Sequence, residues 1–131
     1  MKTKRILVCG GRDFEDKNKL NQVLSKHLSD SVEFDLLFSV PLFIKAVIIQ
    51  GGAKGADRLA KEFADYYDIP NIEFKADWSK YGKAAGGIRN KQMLNEGKPD
   101  LVIAFPTENS KGTWDMVRRA KRAGIDTVVV E

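Results

Sequence analysis

Apolar residues in this chain recur in two alternating rhythms. Short runs, Arg5–Cys9, Ala46–Gln50, Ile72–Lys75, Asp100–Phe105 and Thr127–Val130, are too short for helices; all but Ile72–Lys75, which alternates, are nearly unbroken and rich in Ile, Val and Leu. Such runs suit parallel strands covered on both faces. Between them apolar positions return at helical spacing: Leu20, Val23, Leu24 and Leu28 within Asp16–Ser29; Ala56, Leu59, Ala60, Phe63 and Tyr67; Ile88, Met93 and Leu94; and Trp114, Val117 and Ala120 within Thr113–Ala123. Ile69-Pro70 ends the second helix, Gly97 with Pro99 the third, and Gly124 caps the fourth. The order β-α-β-α-β-α-β-α-β predicts a Rossmann-like three-layer α/β sandwich, a five-stranded parallel sheet with helices on both faces. One segment fits neither rhythm. Ser31–Lys45 is strongly apolar but contains Pro41, and it reads either as a loop or short extra element tucked onto the core or as an exposed patch that pairs subunits.

Right-handed crossovers bring every strand-to-helix turn to one edge of such a sheet, where ligands bind. The turns here are unusual in content. Val47-Ile48-Ile49-Gln50 runs into Gly51-Gly52-Ala53-Lys54-Gly55-Ala56-Asp57, a strand, a glycine turn and a helix start. Free N–H groups at a helix N-terminus suit an anion such as phosphate, and Lys54 adds a cation. The first strand runs into Gly10-Gly11-Arg12-Asp13, where Arg12 is a natural phosphate fork. The alternative there is a plain turn with a solvated arginine. Ala76–Gly87 reads as a glycine-rich loop in which Trp78 either stacks on a base or caps the core edge. Arg89-Asn90 falls in the first turn of the next helix, where a cation is unfavourable unless an anion is present, so Arg89 reads as a phosphate ligand or, alternatively, as one half of a structural ion pair. Gly112-Thr113 opens the last helix. All of these positions should converge at the C-terminal edge.

Composition narrows the classes. The 131 residues suit one domain, 1–131, with an apolar insertion at about 31–45, and the apolar content of 43% suffices for a core without disulfides. One cysteine and one histidine leave no basis for a metal cage. Cys9 reads as a buried strand residue and His27 as a surface residue. No cofactor is required, and Mg2+ enters only as the companion of a phosphate ligand. Net charge is +4, but no basic block dominates, which places nucleic acid behind a small anionic ligand as partner. The basic stretch Met1–Arg5 is followed by too short an apolar run for a signal peptide, and no apolar run is long enough for a membrane span, so the expected location is the cytoplasm.

Taken together, Gly10-Gly11-Arg12-Asp13-Phe14, Gly51-Gly52-Ala53-Lys54-Gly55-Ala56-Asp57, Ala76-Asp77-Trp78, Ala85-Gly86-Gly87-Ile88-Arg89-Asn90 and Gly112-Thr113-Trp114-Asp115-Met116-Val117 resemble, in this order, the YspA-like family of the SLOG superfamily. The resemblance runs from about Arg5 to Val130 and lapses over Ser31–Lys45. It implies a Rossmann-like fold that binds a nucleotide or nucleotide-derived ligand, and a homo-oligomer. The superfamily also holds LOG-type phosphoribohydrolases, which cleave the N-glycosidic bond of nucleoside monophosphates, and DNA-binding DprA proteins. The LOG-type motif Pro-Gly-Gly-x-Gly-Thr-x-x-Glu corresponds here to Pro106–Met116, which keeps Gly112-Thr113 but has Met116 at the position of the glutamate. Asp115, one residue away on a different helical face, is the candidate catalytic substitute. Asp115 and Asp57 otherwise suit ribose hydroxyls, and Asp57 alternatively serves the helix dipole. The expectation is a binding or sensing module. The alternative is a nucleotide N-glycosidase, with DprA-like nucleic-acid binding third.

Overall fold

The five apolar runs pair as one parallel sheet in the computed structural model, which describes residues 2–131; Met1, the start of the basic N-terminal stretch, lies outside the described residues. In chain order the elements are β1 (Lys4–Gly10), α1 (Lys17–Leu28), β2 (Val32–Asp35), β3 (Val40–Ile44), β4 (Ala46–Gln50), α2 (Ala56–Tyr66), β5 (Asn71–Glu73), α3 (Trp78–Tyr81), α4 (Ala85–Gly97), β6 (Leu101–Phe105), α5 (Lys111–Arg122) and β7 (Asp126–Val129). The sheet order is β5-β4-β1-β6-β7, with every neighbouring pair parallel. The chain steps outward from β1 to β5, then returns to the far side of β1 with β6. The order therefore reverses between β1 and β6, which is the place where such sheets open a crevice.

The unbroken character of β1 follows from its position. Ile6 and Val8 face a cluster with Leu20, Leu24 and Leu28 of α1 and Ala60, Phe63 and Ala64 of α2. Leu7 and Cys9 face the opposite cluster, with Met93 of α4 and Met116, Val117 and Ala120 of α5. Because both faces are covered from Ile6 to Cys9, all four of those positions are apolar. Cys9 is buried, and burial pushes its thiol up, with the charge of Asp57 adding to the effect.

Three expectations need correction. Ala76–Gly87 is not a loop. Asp77 caps α3 by accepting from the Lys80 backbone N–H at 3.1 Å, a 3-10 turn follows at Gly82–Ala84, and α4 already begins at Ala85. The glycine pair Gly86-Gly87 masks this helix start in the sequence. Arg89 is consequently the fifth residue of α4 and sits beyond its first turn, so the helix-dipole argument does not apply to it. The third strand begins and ends earlier than its apolar run suggests, at Asn71–Glu73.

Ser31–Lys45 resolves into an antiparallel hairpin of β2 and β3, a two-stranded sheet separate from the main one. Its turn is held by the Asp35 carboxylate, which accepts from the backbone N–H groups of Leu37 and Phe38 at 2.9 and 3.0 Å. Pro41 does not prevent the strand, because an unshared strand edge tolerates a missing N–H. Most of the hairpin's apolar side chains are exposed.

Candidate functional site

The turns after β1, β4 and β6 pack directly on one another at the C-terminal edge. The Gly11 backbone N–H donates to the Phe105 carbonyl at the end of β6 (3.1 Å), and its own carbonyl accepts from Ala56 N–H at the start of α2 (3.4 Å). This contact explains a glycine. Gly55 has φ +78°, and a Cβ there would meet the Gly11 carbonyl oxygen and lie 2.7 Å from that of Arg12. The glycines of these turns thus serve loop-on-loop packing as well as any ligand. The turn after β6 is tied in by Thr107, whose hydroxyl donates to the Asp13 carboxylate and whose backbone N–H donates to Ser110 Oγ at 2.6 Å.

Not every N–H of the central glycine turn is free, as the sequence suggests. Ala53 N–H donates to Asp57 Oδ2 at 3.1 Å, and Gly52 N–H donates to the side-chain oxygen of Gln50. Gln50 is wholly buried and also donates to Asn71 Oδ1 and Glu73 Oε1, at 3.2 and 3.0 Å. This polar residue at the tip of an apolar strand pins the turn, a role that a polar end to an apolar run could have signalled.

Above the turns runs a groove with two lobes. One, of about 440 Å3, lies over the central glycine turn and is lined by Gly51, Gly52, Lys54, Lys75 and Ala76. The other, of about 390 Å3, lies at the switch between β1 and β6 and is lined by Gly10, Gly11, Asp57, Gly112 and Thr113, with Ser110 and Lys111. Arg12, Ala53, Trp78 and Arg89 line both. Either volume suits a small ligand. The Arg12 guanidinium lies over the Trp78 ring, 5.7 Å from its centroid, and marks the boundary between the lobes.

The candidate residues divide into those that line the groove and those that support it. Asp13, Gly55, Asn90 and Asp115 are supports. Asn90 is buried and donates to the Gly112 carbonyl and to Asp115 Oδ2, both at 3.0 Å, so it ties α4 to α5. Asp115 also accepts from Arg119 Nε at 2.8 Å. Burial alone would raise its carboxyl, but these two hydrogen bonds outweigh it and hold the group below its ordinary value. Met116, at the position of the LOG-type glutamate, is fully buried in the core. Sequence reasoning did not single out Lys75, Ala76, Gly86, Glu108, Asn109 or Ser110 as lining residues, and Glu108 brings a second carboxylate, beside Asp57, to the lining. The first two follow β5, and the same rule that placed the other turns reaches them too.

Arg89 and Asp57 set the electrostatics of the groove floor. Arg89 Nη1 donates to the Gly51 carbonyl at 2.7 Å and Nε to Asn90 Oδ1 at 3.2 Å. Burial lowers its pKa from the usual value, while Asp57 opposes that shift. Asp57 is 6% exposed, and burial pushes its carboxyl up to about 6, against the Ala53 N–H and the charge of Arg89. By contrast Arg12, Lys54 and Lys111 are exposed, and among the described residues none has a carboxylate within ion-pair distance. No three His, Cys, Asp or Glu side chains among the described residues group closely enough to hold a metal, and no helix among them is long and apolar enough to cross a membrane.

Comparison with known proteins agrees with this architecture. The chain is similar in fold to DNA processing protein A (DprA) from Streptococcus pneumoniae, with a TM-score of 0.70 and 18% identity; the match covers 98% of this chain and 50% of that one. At that identity the likeness is one of fold, and the chain spans about half of the DprA structure. It is 32% identical over 130 residues to the Gene 61 protein of Mycobacterium phage D29, covering 95% of this chain and 94% of the phage protein. The model of the YspA, cpYpsA-related SLOG family matches residues 4–81, the stretch that holds the turns after β1, β4 and β5 and ends with α3. On that match, which spans more than half of the chain, the protein belongs to the YspA, cpYpsA-related SLOG family.

Proposed function

We propose that this protein binds a nucleotide or nucleotide-derived ligand in the two-lobed groove and releases it unchanged, as a sensor or binding module. The observation that carries the reading is the convergence of Arg12, Lys54 and Lys111, three exposed cations without ion-pair partners among the described residues, on the lining of one groove. Unpaired like charges gathered in a concave site repel one another, and an anion relieves that repulsion. Arg12 provides the bidentate phosphate contact. Trp78 provides a stacking face, which Arg12 covers at 5.7 Å; a base taking that face displaces the guanidinium toward the phosphates. Ribose hydroxyls fall to Asp57. Mg2+ enters only with the phosphates.

Glycosidic hydrolysis is the weaker reading. The position of the LOG-type glutamate holds a core methionine, and Asp115 is occupied by Asn90 and Arg119 away from the groove lining. DNA, the substrate named for DprA, is third, since the unpaired cations line a groove and form no extended stripe.

The test is thermal unfolding against nucleoside mono-, di- and triphosphates, ADP-ribose and cyclic nucleotides, with analysis of what is recovered. A ligand at about 100 times its Kd adds roughly 2.7 kcal/mol, or roughly 10 °C in midpoint for a chain of this size. Intact recovery of the ligand, with the rise abolished in Arg12→Ala, supports the binding module. Free base plus ribose phosphate would establish the hydrolase instead. No rise with any nucleotide, together with a salt-dependent rise with DNA, would refute the small-ligand reading.

A further inference from the structure

We propose that the β2–β3 hairpin is a docking arm for a second copy of this chain. The observation is an apolar surface that the fold leaves bare. Leu36, Leu37 and Phe38 at the turn are 99%, 82% and 72% exposed, and Phe34, Val40, Leu42 and Phe43 on the strands are each about half exposed or more. The register slips by one residue at Leu42, and the successive pairs Glu33–Phe43 and Phe34–Pro41 on either side of it face opposite ways, yet Phe34 and Phe43 are both exposed. A hairpin that only covered its own core would keep one polar face. This one exposes apolar side chains on both faces, one of which also carries Glu33 and Asp35, and, among the described residues, it pairs with no strand of the main sheet. An isolated two-stranded hairpin is marginal in water, so an apolar one requires a partner surface.

Size and chemistry identify that partner as the same chain. Seven large apolar side chains, half to wholly exposed, present roughly 800 Å2. That exceeds the largest apolar patch of a typical monomer and equals one subunit's share of a standard interface. From Leu36 to Ile44 the segment has no charged residue, and Ser39 is its only polar side chain. Depletion of charge is the mark of homodimer interfaces, and an uncharged apolar patch meets its own copy across a two-fold axis without repulsion. Glu33 and Asp35 precede the segment and a single cation, Lys45, follows it, so the arm lacks the cluster of basic residues that an anionic membrane surface attracts.

The arm also lies at the far end of the sheet from the groove. Ser31 and Lys45 close its base by a backbone hydrogen bond of 2.7 Å, and Lys45 accepts from Lys4 N–H at the start of β1. The ligand groove sits at the other ends of β1 and β4. Docking through the arm therefore leaves the groove open, and this inference stands whether or not the proposed ligand binds.

Sedimentation velocity of the full chain across a micromolar concentration series tests it, alongside Phe38→Asp and Leu42→Lys. The wild type is expected at twice 14.7 kDa, with each substitution halving the mass while the far-ultraviolet circular dichroism is unchanged. A wild type that stays monomeric overturns the proposal, and so does a dimer that survives both substitutions. Mass that grows without limit with concentration overturns it as well, since it marks unspecific association. Flotation of the monomer with anionic vesicles would assign the arm to a membrane instead.

Discussion

The buried carboxylate of Asp57 makes stability fall as pH rises, and a single substitution exposes the effect. Asp57 is the second residue of α2, 6% exposed, with burial pushing its pKa from 3.8 up to about 6. The folded value lies above the unfolded one. Between pH 3.8 and about 6 the unfolded chain has released this proton while the folded chain keeps it. The folded state binds more protons there, so stability declines as pH rises through that window and levels off above it. The interval corresponds to about 3 kcal/mol, at roughly 1.36 kcal/mol for each pH unit. In the variant Asp57→Asn the side-chain amide keeps an oxygen that accepts from Ala53 N–H and carries no charge to desolvate. It also adds an N–H donor whose burial takes back about 1 kcal/mol. The variant is expected to be more stable than wild type by about 2 kcal/mol at a pH of about 7, with the advantage shrinking toward a pH of about 4. Urea unfolding of both proteins across that range measures this directly. Profiles that run parallel would refute the reasoning, because they would mean that Asp57 is as well solvated folded as unfolded. The same group reports on the groove. An anionic ligand beside it raises its pKa further, so binding at a pH of about 6 should take up protons, visible as a dependence of binding enthalpy on buffer ionisation.

Arg89→Ala removes the donors to the Gly51 carbonyl and to Asn90 and leaves Asp57 without its nearby cation, so it is expected to destabilise the fold by about 2–4 kcal/mol. Arg12→Ala, at an exposed side chain over Trp78, should cost within about 1 kcal/mol; equal costs in chemical denaturation would contradict this division between a floor and a rim arginine. Gly55→Ala places a Cβ against the Gly11 carbonyl at φ +78° and should lose roughly 3 kcal/mol or more, whereas Gly112→Ala, in open space in the first turn of α5, should stabilise by up to about 1 kcal/mol. A Gly55→Ala protein with the wild-type urea midpoint would overturn the loop-on-loop role of that glycine.

The parallel sheet is legible in the sequence because two-sided burial leaves no alternative to unbroken Ile, Val and Leu runs, as Ile6-Leu7-Val8 and Leu101-Val102-Ile103 show. The edge where the turns gather follows from the strands being parallel, and the groove-lining positions Gly10, Gly11, Arg12, Gly51, Gly52, Lys54, Trp78 and Arg89 all fall at the end of a strand or after it. Two kinds of information are not written locally. Helix starts with weak local preference, such as Ala85-Gly86-Gly87, depend on what they pack against, and only the structure sets α4 in place there. Side-chain partnership is the other. Nothing in the spelling Arg89-Asn90 or Trp114-Asp115 separates a group that faces a ligand from one tied to a neighbouring helix, because the partners Gly51, Gly112 and Arg119 come from other turns or from a later turn of the same helix.

That distinction bears on how such an edge can change ligand without changing fold. The members that hold the loops together, Gly55 under Gly11, Gln50 under Gly52, and Asn90 between Gly112 and Asp115, use backbone carbonyls, N–H groups and buried amides. The members that meet solvent in the groove, Arg12, Lys54 and Lys111, have no ion-pair partner among the described residues. Replacing a rim cation therefore leaves the floor intact, while replacing a floor residue disturbs several turns at once. Arg89 belongs to both sets: it lines both lobes, and its guanidinium also holds the Gly51 carbonyl. A phosphate that reached Arg89 would meet a cation already fixed by two hydrogen bonds, and so would bind without the cost of ordering that side chain.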